Sequence, residues 1–225
     1  MAEVIELKDI ADDSEKLESE IAKVVESLRS GGIIVAAVES AYVYACDAFD
    51  REAVSRLHTL RGDDFGVACQ VMIGNFETLD GIAQNVTEDL SLLTQKFWPG
   101  LLTLHVAPTY GLSWDLGDAG ELGEFAVRIP DRELFRAVLE KSGPLAVASA
   151  ALVGRPPILD IGQISALYSD ITYYLDEGVL TSGPASTVVQ QISIGTDLGL
   201  EVLRVGAITL EALQEVLPNI SLISA

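Results

Sequence analysis

The chain has 225 residues, of which 49% are hydrophobic and 21% are charged. This composition supports a buried core and excludes a disordered chain. Acidic residues number 34 and basic residues 14, which gives a formal net charge of -20. Such a charge repels a phosphate backbone unless the basic residues gather on one face, and the sequence has no basic run. Nucleic-acid binding is therefore disfavoured.

The sequence also argues against a membrane or secreted protein. No apolar run reaches the roughly 18 residues that a membrane helix needs. The acidic N-terminus lacks the basic and apolar regions of a signal peptide. Cys46 and Cys69 are too few for a disulfide framework. We expect a soluble, cytoplasmic protein with no membrane partner, and the sequence leaves its oligomeric state open.

Helices and strands are predicted in mixed order along the chain. A first helix over 13–30 has Asp13 or Ser14 as its cap and ends at Gly31-Gly32, and a buried strand follows over 33–38. Asp50 caps a second helix, which runs to about Leu60. The later predictions are a strand over 66–73, one or two helices over 76–97, a strand over 101–107, a long loop over 108–124, a strand over 125–130, a helix from a cap at Asp131 to about Lys141, strands over 144–152, 171–175, 186–191 and 200–204, and a helix from Thr209.

This interleaving without strict alternation predicts one α/β domain over 1–225 with a twisted, mixed sheet. The common catalytic signatures are absent: the sequence contains no glycine-rich dinucleotide fingerprint, Walker loop, HExxH, CxxC or nucleophile elbow. His58 and His105 have no nucleophile near them in sequence, and both cysteines have apolar neighbours, so structural roles are favoured. No catalytic residue and no metal ligand is assigned.

Short polar insertions recur where predicted strands begin or end. Arg128, inside "FAVRIP", is costly to bury unless its guanidinium meets an anion or a carboxylate. Hydroxyl groups at strand ends can donate to phosphate or carboxylate oxygens. Recurrence of these groups predicts one converging polar site, with four side chains along one concavity: Ser40, Arg128, Ser149 and Ser186.

Six segments, taken in order, resemble the YrdC-like family, the threonylcarbamoyl-adenylate synthases of tRNA modification. They are "DAFDREAV" (47–54), "FWPGLLTL" (97–104), "VRIP" (127–130), "GPLAVASA" (143–150), "STVV" (186–189) and "LRVGAIT" (203–209). The resemblance covers roughly residues 14–212. It implies a YrdC-like fold whose concave face holds nucleotide and threonine.

The resemblance also implies a reaction, in which threonine, bicarbonate and ATP give threonylcarbamoyl-AMP and pyrophosphate. ATP is then a substrate, and magnesium can accompany its phosphates. In family terms Arg128 holds the threonine carboxylate, Ser186 or Thr187 assists at the threonine, and Ser149 and Arg204 contact ATP. The same comparison assigns ligand contacts to Ser40, Tyr42 and Arg61.

Three motifs depart from the family pattern. Pro-Thr-Asp-Thr-x-Tyr-Gly corresponds to residues 37–43, where only Tyr42 is kept and Glu39 and Ser40 are mild replacements. Lys-x-Arg falls on Arg61-Gly62-Asp63, so one cation has become an acid. Ser-Ala-Asn falls on 149–151 and loses its amide. Asp63 in particular predicts impaired triphosphate binding, unless a magnesium ion bridges it to the phosphates.

These departures leave three hypotheses open. The chain is an active, divergent synthase, whose activity the altered motifs can impair, or a non-catalytic YrdC-like paralogue that binds nucleotide or regulates. Double-stranded RNA binding is the third, and the net charge opposes it.

Overall fold

A computed structural model describes residues 2–10, 12–63, 66–164, 170–194 and 197–223. The strands in these ranges are β1 (Glu3–Glu6), β2 (Ile33–Val38), β3 (Ala41–Asp47), β4 (Gln70–Met72), β5 (Leu102–Val106), β6 (Phe125–Arg128), β7 (Leu145–Ser149), β8 (Ile171–Asp176), β9 (Thr187–Ile194), β10 (Asp197–Arg204) and β11 (Ser221–Leu222). The α-helices are α1 (Ser14–Arg29), α2 (Arg51–Arg61), α3 (Phe76–Ile82), α4 (Glu88–Phe97), α5 (Glu133–Ser142) and α6 (Leu210–Gln214).

All these strands belong to one mixed sheet in the order β1-β8-β2-β3-β7-β4-β6-β5-β9-β10-β11. The central strands combine both pairing directions, since β2 pairs antiparallel with β3 and parallel with β8, and β4 pairs antiparallel with β7 and parallel with β6. The prediction of a single α/β domain with a twisted, mixed sheet is confirmed.

Helices cover both faces of this sheet. The six residues of β2 are all buried and alternate between two apolar clusters. Ile34, Ala36 and Val38 pack in the cluster that contains the buried faces of α1 and α5. Ile33, Val35 and Ala37 pack in the cluster that contains those of α2, α3 and α4. A strand buried on both faces reads as an unbroken apolar run, which is why β2 was predictable.

Two of the predicted helix caps agree with the structure: Asp13 accepts a hydrogen bond from the Lys16 N–H, and Asp50 caps α2. The helix predicted from Thr209 is α6, which the Thr209 side chain caps. Asp131 was wrongly predicted to cap α5. The position before α5 is Arg132, whose side chain makes no capping hydrogen bond.

The largest error concerns β3, which was not predicted. Val38 pairs with Ala41, so Glu39 and Ser40 form the two-residue turn of a hairpin between β2 and β3. This turn contains no glycine or asparagine, the residues that usually mark such hairpins in a sequence. The predicted strand over 66–73 is also shorter, at Gln70–Met72. None of the helices in the described ranges is long and apolar enough to cross a bilayer.

Candidate functional site

A pocket of about 450 Å³ lies on the face of the central strands, beside the β2–β3 turn. Strand pairing explains which side chains meet there. Val43 lies opposite Ser149, Gln70 opposite Val147, and Met72 opposite Arg128. The polar and sulfur-bearing residues that line the pocket are Glu39, Ser40, His58, Arg61, Asp63, Cys69, Gln70, Met72, Arg128, Ser149 and Ser186.

Five of the eight residues predicted to bind ligands line this pocket. They are Ser40, Arg61, Arg128, Ser149 and Ser186. The structure therefore brings together the four side chains expected along one concavity, although they come from points up to 146 positions apart in the chain.

Arg128 is buried, and its guanidinium is paired with Glu39. Nη1 donates to Oε1 of Glu39 at 2.6 Å and Nη2 donates to Oε2 at 2.9 Å, while Nη1 also donates to the Gly100 carbonyl at 3.2 Å. Two parallel bonds between a guanidinium and a carboxylate form the strongest pairing available to these groups. The buried arginine of "FAVRIP" thus meets a carboxylate of the chain itself.

The Glu39 carboxylate has further support. The backbone N–H of Asp131 donates to Oε1 at 2.9 Å. Arg132 donates from Nε to the Val38 carbonyl and from Nη2 to the Glu39 carbonyl, at 3.1 and 2.9 Å, and so fixes the turn. Burial by itself would raise the pKa of Glu39, but the hydrogen bonds and charge of Arg128 outweigh it and hold that pKa below its ordinary value. Glu39 is therefore ionised at neutral pH.

A second group of charged side chains lies at the end of α2. Asp63 Oδ1 lies 3.1 Å from Arg61 Nε, and Asp63 Oδ2 lies 3.3 Å from His58 Nδ1. Neither nitrogen has a contact of hydrogen-bond geometry among the described residues, so Asp63 acts on Arg61 through its charge. Together with the Glu39 pair, this means that both arginines lining the described part of the pocket already face an internal carboxylate.

His58 and Cys69 meet at the same end of the pocket. His58 Nε2 lies 2.9 Å from the Leu116 carbonyl and 3.2 Å from the sulfur of Cys69. The carbonyl can only accept a hydrogen bond, so Nε2 carries a proton and cannot take one from the thiol. Burial, followed by the charge of Asp63, raises the pKa of the Cys69 thiol to about 12. This geometry favours the structural roles expected for both residues.

A chain of hydrogen bonds beside the pocket joins β4 to β10. Gln70 Nε2 donates to the Thr103 hydroxyl at 3.2 Å, which donates to the Ser186 hydroxyl at 2.8 Å. Arg204 Nη2 donates to the Ser186 carbonyl at 3.0 Å. Arg204 holds Ser186 from outside and is not among the pocket-lining residues. Its predicted contact with ATP stays a prediction.

Tyr42 and Thr187 are fully buried and do not line the pocket. The Tyr42 hydroxyl donates to the Gly178 carbonyl at 2.8 Å and accepts from the Glu177 N–H at 3.0 Å. The Thr187 hydroxyl donates to the Ile208 carbonyl at 2.6 Å and accepts from the Gly206 N–H at 2.8 Å. Both hydroxyls tie strands to neighbouring loops, and their predicted ligand contacts stay predictions.

Sequence reasoning missed two features of the pocket. Gln70 was not singled out, although an amide in the otherwise apolar "GVACQVMI" is the same kind of signal as Arg128 in "FAVRIP". The family resemblance treats Glu39 only as a mild replacement in a motif, whereas it is the partner of Arg128 across 89 positions. No local pattern reports such a distant pairing.

Comparison with known proteins identifies relatives over almost the whole chain. The sequence model of the Sua5/yciO/yrdC family, described as telomere recombination, matches residues 26–206. A Mycobacterium leprae protein provisionally named threonylcarbamoyl-AMP synthase is 32% identical over 221 residues, which is 96% of each chain. The threonylcarbamoyl-AMP synthase of Pyrococcus abyssi is 28% identical over 86% of this chain and 56% of its own length.

Solved structures agree with these sequence matches. A double variant of P. abyssi Sua5 superposes with a TM-score of 0.84 and 26% identity, covering 99% of this chain and 62% of that one. P. abyssi Sua5 complexed with L-threonine gives 0.79 and 27% identity, covering 92% and 59%. The chain thus spans about three fifths of that archaeal protein. By sequence and by fold, the chain belongs to the Sua5/yciO/yrdC family.

Proposed function

We propose that this chain is a threonylcarbamoyl-AMP synthase of tRNA modification with impaired activity. In this reaction threonine, bicarbonate and ATP give threonylcarbamoyl-AMP and pyrophosphate. The relatives named for this activity and the L-threonine complex of P. abyssi Sua5 support the choice of ligands. The observation that carries the proposal is that five residues matched to the family motifs line one pocket: Ser40, Arg61, Arg128, Ser149 and Ser186.

The same pocket gives the reason for the impairment. Attack at the α-phosphate requires cationic side chains and hydroxyl donors around the triphosphate. Arg61 is the cation to which we assign this role, and Asp63 Oδ1 lies 3.1 Å from its Nε. A triphosphate must compete with that carboxylate for Arg61 and also approach its negative charge. We therefore expect weak ATP binding and slow turnover.

Magnesium would arrive with the nucleotide and would not be held by the protein alone. The described residues contain no cluster of three His, Cys, Asp or Glu side chains that could hold a metal ion. The two acids that line the pocket, Glu39 and Asp63, both face cationic partners. The phosphate oxygens of ATP would therefore bind the magnesium ion, and Asp63 would supply one additional oxygen ligand.

A second candidate function is a non-catalytic paralogue that binds nucleotide or regulates. The observation that favours it is that both arginines of the pocket are paired with carboxylates of the chain itself. Both candidate functions use this pocket, but only the synthase converts its substrates to products.

Pyrophosphate release from ATP tests the proposal, measured with threonine, bicarbonate and magnesium present. P. abyssi Sua5 serves as the positive control. We expect release that depends on threonine and is slower than that of the control. Release that does not depend on threonine, or none at protein concentrations comparable to the ATP concentration, would contradict the synthase proposal and favour the non-catalytic paralogue.

A further inference from the structure

The guanidinium of Arg128 has the properties of a carboxylate-binding site. It lies on the pocket wall, its side chain is only 5% exposed, and its neighbours in the sheet are apolar. A planar guanidinium in such surroundings binds a carboxylate through two parallel hydrogen bonds. Glu39 already makes both of these bonds, at 2.6 and 2.9 Å. An incoming carboxylate would need the same two donors.

Glu39 is held too firmly for a ligand to displace it easily. Its Oε1 accepts a third hydrogen bond, from the Asp131 N–H at 2.9 Å. Its backbone lies in the two-residue β2–β3 turn. Arg132 donates to the Glu39 carbonyl in this turn and to the carbonyl of Val38, the residue before it. Moving the carboxylate away would leave Arg128 as a buried, unpaired cation, which is strongly unfavourable.

The Glu39 carboxylate can still accept a further hydrogen bond. A carboxylate offers about four lone-pair positions on two oxygens. From other residues in the described ranges, Oε1 accepts from Arg128 and Asp131, and Oε2 accepts from Arg128. The backbone N–H of Glu39 itself also stabilises the carboxylate. Because Glu39 lines the pocket, Oε2 can accept one more hydrogen bond from a ligand N–H or O–H group.

We propose that Glu39 is a specificity-determining residue, which keeps free carboxylates off Arg128 and selects ligands that present an N–H or O–H group at this position. Threonine, which presents a free carboxylate, is then admitted only weakly, in agreement with the impaired activity proposed above. A neutral or cationic polar molecule, such as an amide or an amino alcohol, fits the position better. This inference concerns which ligand the pocket admits. Only the use of threonine as a probe rests on the function proposed above.

Acetate provides a test that does not depend on threonine. Glu39→Ala removes a CH₂ group and a carboxylate, which together correspond to one acetate ion. We expect acetate to raise the thermal midpoint of Glu39→Ala with a saturable dependence on concentration, because it restores the two hydrogen bonds to Arg128. Glu124→Ala is the matched control, since it makes the same change in charge at a half-exposed residue outside the pocket. Equal responses of the two variants to acetate would overturn the proposal.

A second test uses the unmodified protein, so it stands even if Glu39→Ala does not fold. L-threonine and L-threonine amide differ only in the group that would face residue 39. We expect calorimetry to show at least about tenfold tighter binding of the amide by the unmodified protein, and the opposite order for Glu39→Ala. Binding of L-threonine as tight as that of the amide, or no binding of either probe, would overturn the selection of donor ligands.

The two proposals fail in different ways. If the acetate and amide results are as expected but no variant releases pyrophosphate from ATP, the synthase function is contradicted and the role of Glu39 stands. If the unmodified protein binds L-threonine tightly and releases pyrophosphate, the synthase function stands and the role of Glu39 is contradicted.

Discussion

Asp63 lies between Arg61 and His58 at the pocket wall, and its carboxylate opposes anion binding by Arg61. We predict that Asp63→Arg increases ATP affinity about tenfold to hundredfold, because it removes a repulsion and adds a charge-assisted hydrogen bond. Asp63→Asn removes the charge without adding a cation and should give an intermediate affinity. Arg61→Ala should abolish the remaining binding. Calorimetric titration with ATP in magnesium measures all four proteins, and low-micromolar affinity that Asp63→Arg leaves unchanged would contradict the prediction.

Glu39 also contributes a stability that depends on pH. Its pKa is below the ordinary value in the folded protein, so its pairing stabilises fully above the unfolded pKa of about 4.5 and is lost as the pH falls through the folded pKa. Removing one partner of a buried ion pair costs about 3 kcal/mol or more. We predict that Glu39→Gln lowers the free energy of unfolding by about that amount at pH 7, and by progressively less below about pH 4.5.

Urea unfolding of the unmodified protein and Glu39→Gln over this pH range measures the difference. Glu124→Gln is the control, because Glu124 lies beside His105 with its side chain 37% exposed. A Glu39→Gln difference that grows as the pH falls would mean that the pairing does not depress the Glu39 pKa.

For Arg128 and Glu39, the sequence predicts part of the site and leaves the rest open. A buried arginine in an apolar strand requires an anionic partner, and this much could be predicted from "FAVRIP". The identity of the partner could not, because Glu39 is 89 positions away and reaches Arg128 only through the pairing of β2, β3, β7, β4 and β6. The same residues would suit a site for an external carboxylate, and the sequence does not distinguish the two arrangements.

At the scale of elements, Tyr42 joins β3 to the end of β8. Its hydroxyl contacts the Gly178 carbonyl and the Glu177 N–H, both just beyond β8. We predict that Tyr42→Phe lowers the free energy of unfolding by about 1–3 kcal/mol, because these two backbone groups lose their partner inside the protein. ATP affinity should change less than twofold, since Tyr42 does not line the pocket.

Tyr110→Phe is the matched control for that substitution, because Tyr110 is 90% exposed and its hydroxyl is hydrated in the folded protein. Denaturant unfolding and calorimetry with ATP measure both variants. Loss of ATP binding in Tyr42→Phe at unchanged stability would restore Tyr42 to the ligand-binding set expected from the family resemblance.

Elements with strong local signals were the predictable ones. Strand β2 reads as an unbroken apolar run, and α1, α2 and α6 begin at side chains that cap them. Strand β3 failed because the hairpin turn at Glu39-Ser40 carries no glycine or asparagine. The cap of α5 failed for a tertiary reason. The Asp131 N–H donates to Glu39, and the helix begins two residues later without a capping side chain.

At the scale of the whole molecule, basic side chains are dispersed and many face acids. Examples far apart in the chain are Arg51 with Asp115, Arg132 with Glu177, and Lys141 with Glu18. With 34 acidic residues against 14 basic ones, the long-range field repels a polyanion, and the arginines of the pocket do not offset it because they are paired.

We therefore predict that double-stranded RNA binds no more tightly than about 10⁻⁴ to 10⁻⁶ M at physiological salt, the range of ordinary non-specific binding. Fluorescence titration with a labelled RNA duplex measures the affinity at several salt concentrations. Any weak binding should weaken further as salt rises, because it would come only from phosphate contacts that release counterions.

The double variant Asp63→Arg, Glu39→Gln tests separately whether the pocket contributes to RNA binding. It should gain ATP affinity while its RNA affinity stays in the same range, since two substitutions change the net charge of -20 only slightly. Salt-resistant, sub-micromolar binding by the unmodified protein would show that shape recognition outweighs the overall charge.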